Sequence, residues 1–187
     1  SSVVATAVSR YYLGDTPAFI VPVYELVSAW ELPMYLFLGF FCALVGITFT
    51  KTLYRIEDLF DAIKFPEYLK GIIGGLLLGA GSLAFPQRLG VGYGAINVAL
   101  MQKLAWWVLL ILVPGKILAT SITIGAGGSG GIFAPSLFLG AMAGGFFGAV
   151  AHHLFPGITA SPGAYSIVGM GAVVAATTHG PLSAILI

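Results

Sequence analysis

Charge is what this sequence has least of. Eight Lys or Arg and seven Asp or Glu are spread over 187 residues, 8% of the chain. An ordinary soluble domain carries about 25%. From Ala126 to Ile187 there is no Asp, Glu, Lys or Arg at all. The net charge of +1 gives no basis for a nucleic-acid partner. There is one cysteine, Cys42, so no intrachain disulfide can form and the redox compartment is unreadable. The chain has no initial Met and no charged leader, so no signal peptide is expected. What fills the space is apolar: 58% of residues. A soluble core cannot absorb that much apolar surface, so an integral membrane protein is expected. Glycine, at 26 residues, is about twice its usual share. In membrane helices it permits close approach.

The pattern along the chain predicts an all-α architecture of tilted, interrupted and re-entrant helices. Residues 1–12 read as the end of a membrane helix and 13–33, with Pro17, Pro22 and Pro33, as a loop on the extracellular side. An apolar run from Met34 to Thr50 continues into the amphipathic "KTLYRIEDLFDAIK". Further spans are expected at about 68–84 and 104–124, the latter broken by Pro114-Gly115. "GVGYGAINVALMQK" (90–103) is too short to cross a bilayer. Residues 133–154 read as an apolar helix, followed by a turn and a short helix at 164–177. Gly71/Gly75/Gly79 and Gly140/Gly144/Gly148 each form a smooth stripe suited to helix packing. Lys51, Arg55, Lys64 and Lys70 place the 51–70 linker on the cytoplasmic side. The last residues, "LSAILI", stop inside an apolar segment, as expected of a piece of a longer protein.

The unusual stretch is "GAGGSGGIFAP", Gly125 to Pro135. Backbone of this kind at membrane depth is tolerated only where it is buried in protein or lines a watery cavity. Read as a loop entering a helix, it places Pro135 in a first turn, where its missing N–H is no loss. The amides of Ile132, Phe133 and Ala134 then fall at a helix start without intrahelical partners. The helix dipole adds about half a positive charge there. Glycines upstream, Gly131 among them, let backbone approach a ligand closely. Such a site holds an anion with partial charges, firmly enough to dehydrate it and loosely enough to release it. The plain alternative is a glycine-rich junction that only packs.

Lys116 is the single Asp, Glu, Lys or Arg between Leu104 and Ile187. An ionisable residue in an apolar span is a functional candidate. Here it would lend positive potential to an anion path. The alternatives are snorkelling to the interface or capping of helix carbonyls.

"GGSGGIFAPSLFLGAMAG" resembles the CLC family of chloride channels and chloride/proton exchangers. Its G-x-F-x-P element stands here as Gly131-Ile132-Phe133-Ala134-Pro135. Lys116 in the preceding helix, "GVGYGAINVAL" (90–100) and "GMGAVVAATTHGPLSAIL" (169–186) follow the family's order. The resemblance implies a homodimer of subunits built from two inverted halves, with 34–187 an incomplete second half. It implies that the Ile132 and Phe133 amides contact a chloride ion and that the Phe133 side chain lines its path. Protons are a second implied cargo, the lipid bilayer the setting, and the plasma (inner) membrane the expected location. Bound chloride is expected; no other cofactor, metal or enzymatic activity is. The family's GSGIP-type element and its G-R/K-E-G-P element with the gating glutamate are absent from these residues, as is a late-helix tyrosine. The chain therefore carries one wall of the expected site.

Two other chemistries fit parts of the same stretch. Gly127-Gly128-Ser129-Gly130 matches G-x-S-G, and His179 follows fifty positions later, as in a rhomboid-like intramembrane protease with a Ser129/His179 dyad. A secondary transporter of another small anion would use the same helix-start chemistry. His152-His153 diverge by about 100° on a helix and do not suggest one metal ion.

Overall fold

The computed structural model describes residues 2–14, 28, 31–63, 65–84 and 92–178. Among these, the chain is helical without strands: α1 (Ser2–Leu13), α2 (Glu31–Ala62), α3 (Glu67–Ala84), α4 (Tyr93–Leu100), α5 (Trp106–Gly125), α6 (Phe133–Leu154) and α7 (Pro162–Thr178). Helices α2, α5 and α6 are each long and apolar enough to cross a membrane. At about 1.5 Å per residue, the eight residues of α4 are too short to do so.

Helix α6 is the centre of the fold. Every residue from Ser136 to Gly145 is buried, on all sides of the helix. That is what an all-round apolar sequence demands. Its most extensive neighbour is α7. Glycines make that seam possible. A Cβ on Gly144 would fall on the Tyr165 carbonyl oxygen and lie 3.0 Å from the Ser166 Cα. A Cβ on Gly140 would fall on the Gly169 carbonyl oxygen. On one side, Leu38, Phe49, Leu139 and Val173 join α2 to α6 and α7. On the other, Ile96, Leu112, Phe138 and Met142 join α4 and α5 to the same pair.

The second expected glycine stripe is not used in this way. A Cβ on Gly75 or Gly79 would meet nothing within 4 Å. It is Gly74 that lets α3 approach the end of α5, against Ala126 and Ile122. The offset follows from which face of α3 meets α5, a tertiary fact that spacing does not encode.

Three boundaries differ from expectation. Helix α2 begins at Glu31, three residues before Met34, so Pro33 falls in its first turn. Proline is tolerated there. Helix α7 begins at Pro162 for the same reason. Helix α5 runs unbroken through Pro114-Gly115. Packing of α5 against α2 and α6 keeps the helix together where sequence alone suggests a break. The expected break at 178–181 lies, beyond Thr178, outside the described residues.

Glu31 has an anchoring role that its loop-like surroundings conceal. It is fully buried at the start of α2. Its carboxylate accepts the Ala160 N–H and lies 3.5 Å from the Tyr165 hydroxyl, which donates to it. Tyr35 stacks on Tyr165 with ring centroids 5.0 Å apart. The turn between α6 and α7 is tied down further, by Thr159 Oγ1 donating to the Phe155 carbonyl at 2.8 Å. His152, in the last turn of α6, lies 3.3 Å from the same hydroxyl. The α6–α7 hairpin is thus fastened to α2 at this end.

Candidate functional site

The glycine-rich stretch is built in two parts, a helix end and a helix start. Helix α5 closes with Gly127 in the left-handed region at φ 84°. The Gly127 N–H donates to the Ile124 carbonyl (2.9 Å) and the Gly128 N–H to the Thr123 carbonyl (2.8 Å). These are the two bonds of a Schellman motif, which needs a residue tolerant of positive φ at this position. The closing residues satisfy carbonyls that would otherwise be left bare. Ser129, Gly130 and Gly131 then run exposed to the start of α6.

Helix α6 opens at Phe133, with Ile132 at the capping position and no side chain capping it. Pro135 lies in the first turn, as the sequence predicts. Among the described residues none accepts a hydrogen bond from the Ile132, Phe133 or Ala134 amide. The Ile132 carbonyl, by contrast, is occupied. It accepts from the Ser136 N–H at 3.0 Å and from Ser136 Oγ at 2.7 Å. Ser136 Oγ is also 3.0 Å from Thr177 Oγ1 in the last turn of α7. The donors at this helix start are therefore open while its acceptor is tied inward. Ser136 was not among the residues the sequence pointed to. Its signal is a hydroxyl four positions after Ile132 in an otherwise apolar helix.

A cavity of about 530 Å³ lies beside this start. Its walls are Leu77, Leu78 and Gly81 of α3, a stripe of α5 that includes Gly115, Lys116, Thr120 and Thr123, and Ser129, Gly130, Gly131, Ala134 and Pro135. The fold thus brings Lys116 together with three of the five residues of the G-x-F-x-P element. Ile132 and Phe133 are not on that wall. Each residue is 40% exposed, beside the cavity rather than in it.

Lys116 is 4% exposed, so it does not snorkel to the surface. Its Nζ lies 5.1 Å from the centroid of the Phe138 ring. That is within the roughly 6 Å reach of a cation–π contact. Ser129 is exposed at the cavity edge, and His179, its partner in the protease alternative, lies outside the described residues.

A multi-helix apolar chain, interrupted at a helix start beside a cavity that a buried lysine lines, defines an integral membrane protein. The comparisons with known proteins make the family specific. A family model described as "Voltage gated chloride channel" matches residues 1–187. The chain belongs to that family, a multi-pass, all-helical family of the membrane. A ClcB-like protein of Ralstonia nicotianae is 36% identical over 186 residues, covering all of this chain and 43% of its own length. The chloride channel protein CLC-f of Arabidopsis thaliana is 36% identical over 202 residues, covering all of this chain and 26% of its own. The H(+)/Cl(-) exchange transporter ClcA of Vibrio campbellii is 34% identical over 191 residues, covering all of this chain and 41% of its own. The chain therefore spans less than half the length of these relatives.

Proposed function

We propose that the protein containing this chain moves chloride across a membrane, as a channel or a chloride/proton exchanger, and that residues 131–135 form one wall of its anion pathway. The reading is transport, not catalysis. The observation that carries it is the shared cavity. In a chain of this family, the only charged side chain after Leu104 is buried on the same cavity wall as Gly131, Ala134 and Pro135. A lysine in apolar surroundings is costly to keep. Its charge would draw an anion toward this wall, and the open amides of Ile132 and Phe133 would supply the partial charges that replace water.

In this reading, chloride approaches the start of α6 and trades part of its hydration shell for the Ile132 and Phe133 N–H groups. The Phe133 side chain narrows the route. Lys116 raises the positive potential from within α5 without itself becoming a tight ligand. Helix starts contributed by the rest of the protein complete the site. The working assembly is a homodimer in the plasma (inner) membrane, with residues 34–187 part of the second structural half of each subunit.

The test uses the intact protein in liposomes and in detergent. Ile132→Pro deletes one amide donor, and chloride binding measured by calorimetry is expected to weaken about tenfold, the loss of a charge-assisted hydrogen bond. Lys116→Met is expected to lower chloride occupancy and flux. Wild-type affinity in both variants would overturn the site. Repeating the flux assay with other halides and with small carboxylates separates chloride from another small anion.

A further inference from the structure

We propose that Phe138 is a positioning residue for Lys116: its ring holds the ammonium and partly neutralises it, and so sets how tightly the cavity retains an anion. The inference rests on the chloride reading above and deepens it.

The geometry has three parts. The Lys116 ammonium sits 5.1 Å from the Phe138 ring centroid. The negative face of an aromatic ring attracts a cation at that range. Phe138 is itself fully buried, and Gly92, just before α4, approaches its ring closely. A Cβ placed on Gly92 would lie 2.5 Å from the ring Cδ2 and 2.9 Å from Cε2. Gly92 thus closes the space on its side of the ring. Lastly, Phe138 stands three and four residues after Pro135 and Ala134, which puts it on the same side of α6 as that wall of the cavity, one turn deeper.

The ring and an anion in the cavity therefore draw on the same charge. The ring is permanent, and the anion is transient. A bare ammonium in such a place would grip chloride strongly and release it slowly. A ring that takes part of its field leaves enough attraction to draw an anion in and too little to trap it, which is what conduction requires. Nothing in the apolar run "PSLFLG" separates Phe138 from its neighbours. Only the contact with Lys116 does.

The experiment replaces Phe138 in the intact protein with mono-, di- and trifluorinated phenylalanine, which keep the ring's shape and progressively deplete its face. Chloride binding is measured by calorimetry, with and without Lys116→Met. With Lys116 present, binding should tighten with each fluorine, reaching about threefold for the trifluorinated ring. In the Lys116→Met background the series should be flat. A flat or inverted series with Lys116 present overturns the proposal. So does a tightening that persists without Lys116, because the ring would then act by packing alone. Failure of the underlying reading looks different: Lys116→Met and Ile132→Pro would both leave chloride binding unchanged, which removes both ideas. If those two variants weaken binding and only the fluorinated series is flat, the chloride site stands and the role of Phe138 falls.

Discussion

Two glycine-rich regions lie within twenty residues of each other and use the same residue for opposite ends. In the loop, a Cβ on Gly131 would meet nothing within 4 Å, and one on Gly130 would make only ordinary contacts. In α6, a Cβ on Gly140 or Gly144 would strike the backbone of α7. Gly130 and Gly131 keep space open, while Gly140 and Gly144 close it. The difference shows that a glycine count says little about role. What matters is whether the missing Cβ faces a partner or a cavity.

This contrast can be tested by filling each place. The largest effect is expected at the seam. Gly144→Leu would force α6 and α7 apart and cost about 3 kcal/mol or more. Purified intact protein should unfold at much lower temperature or fail to yield a single species. A normal melting temperature would mean that the seam is looser than its geometry implies. A smaller loss is expected at the end of α5. Gly127→Ala puts a Cβ on a residue with φ 84°, a strain of about 1–2 kcal/mol, read as a drop in melting temperature. Gly131→Ala should be nearly silent in stability, within about 0.5 kcal/mol. Its signature is functional: chloride binding should weaken while the melting temperature holds. If Gly131→Ala instead tracks Gly144→Leu, losing stability and binding together, the two regions are not distinct.

Much of this architecture is legible from residues alone. The bounds of α6, Phe133–Leu154, follow from the glycine break before it and the Phe-Pro-Gly turn after it. Lys116 stands out because charge is so scarce around it. The structure changes three readings. Pro114 does not break α5, because neighbouring helices support the chain on either side. Gly74 rather than Gly75 or Gly79 makes the close approach of α3. Glu31, which sits among prolines in a stretch that reads as loop, is a buried anchor. Its partners Ala160 and Tyr165 are 129 and 134 residues away, beyond the reach of any local pattern. Ile132 and Phe133 fall at the helix start as expected, yet their side chains lie beside the 530 Å³ cavity rather than on its wall. Sequence periodicity can locate a helix start but cannot say which way the neighbouring space opens.

Composition and local pattern were enough to show a membrane chain, to locate most of its helices, and to mark a glycine-rich helix start and one isolated lysine as its chemical features. Those follow from composition and local backbone physics, which act over a few residues. Tertiary structure alone decided that Lys116 shares a cavity with Ser129, Gly130, Gly131, Ala134 and Pro135, that Phe138 meets the ammonium, and that Glu31 fastens the α6–α7 hairpin. Such contacts depend on how helices far apart in sequence rotate against one another, and an apolar face looks the same in sequence whichever partner it meets.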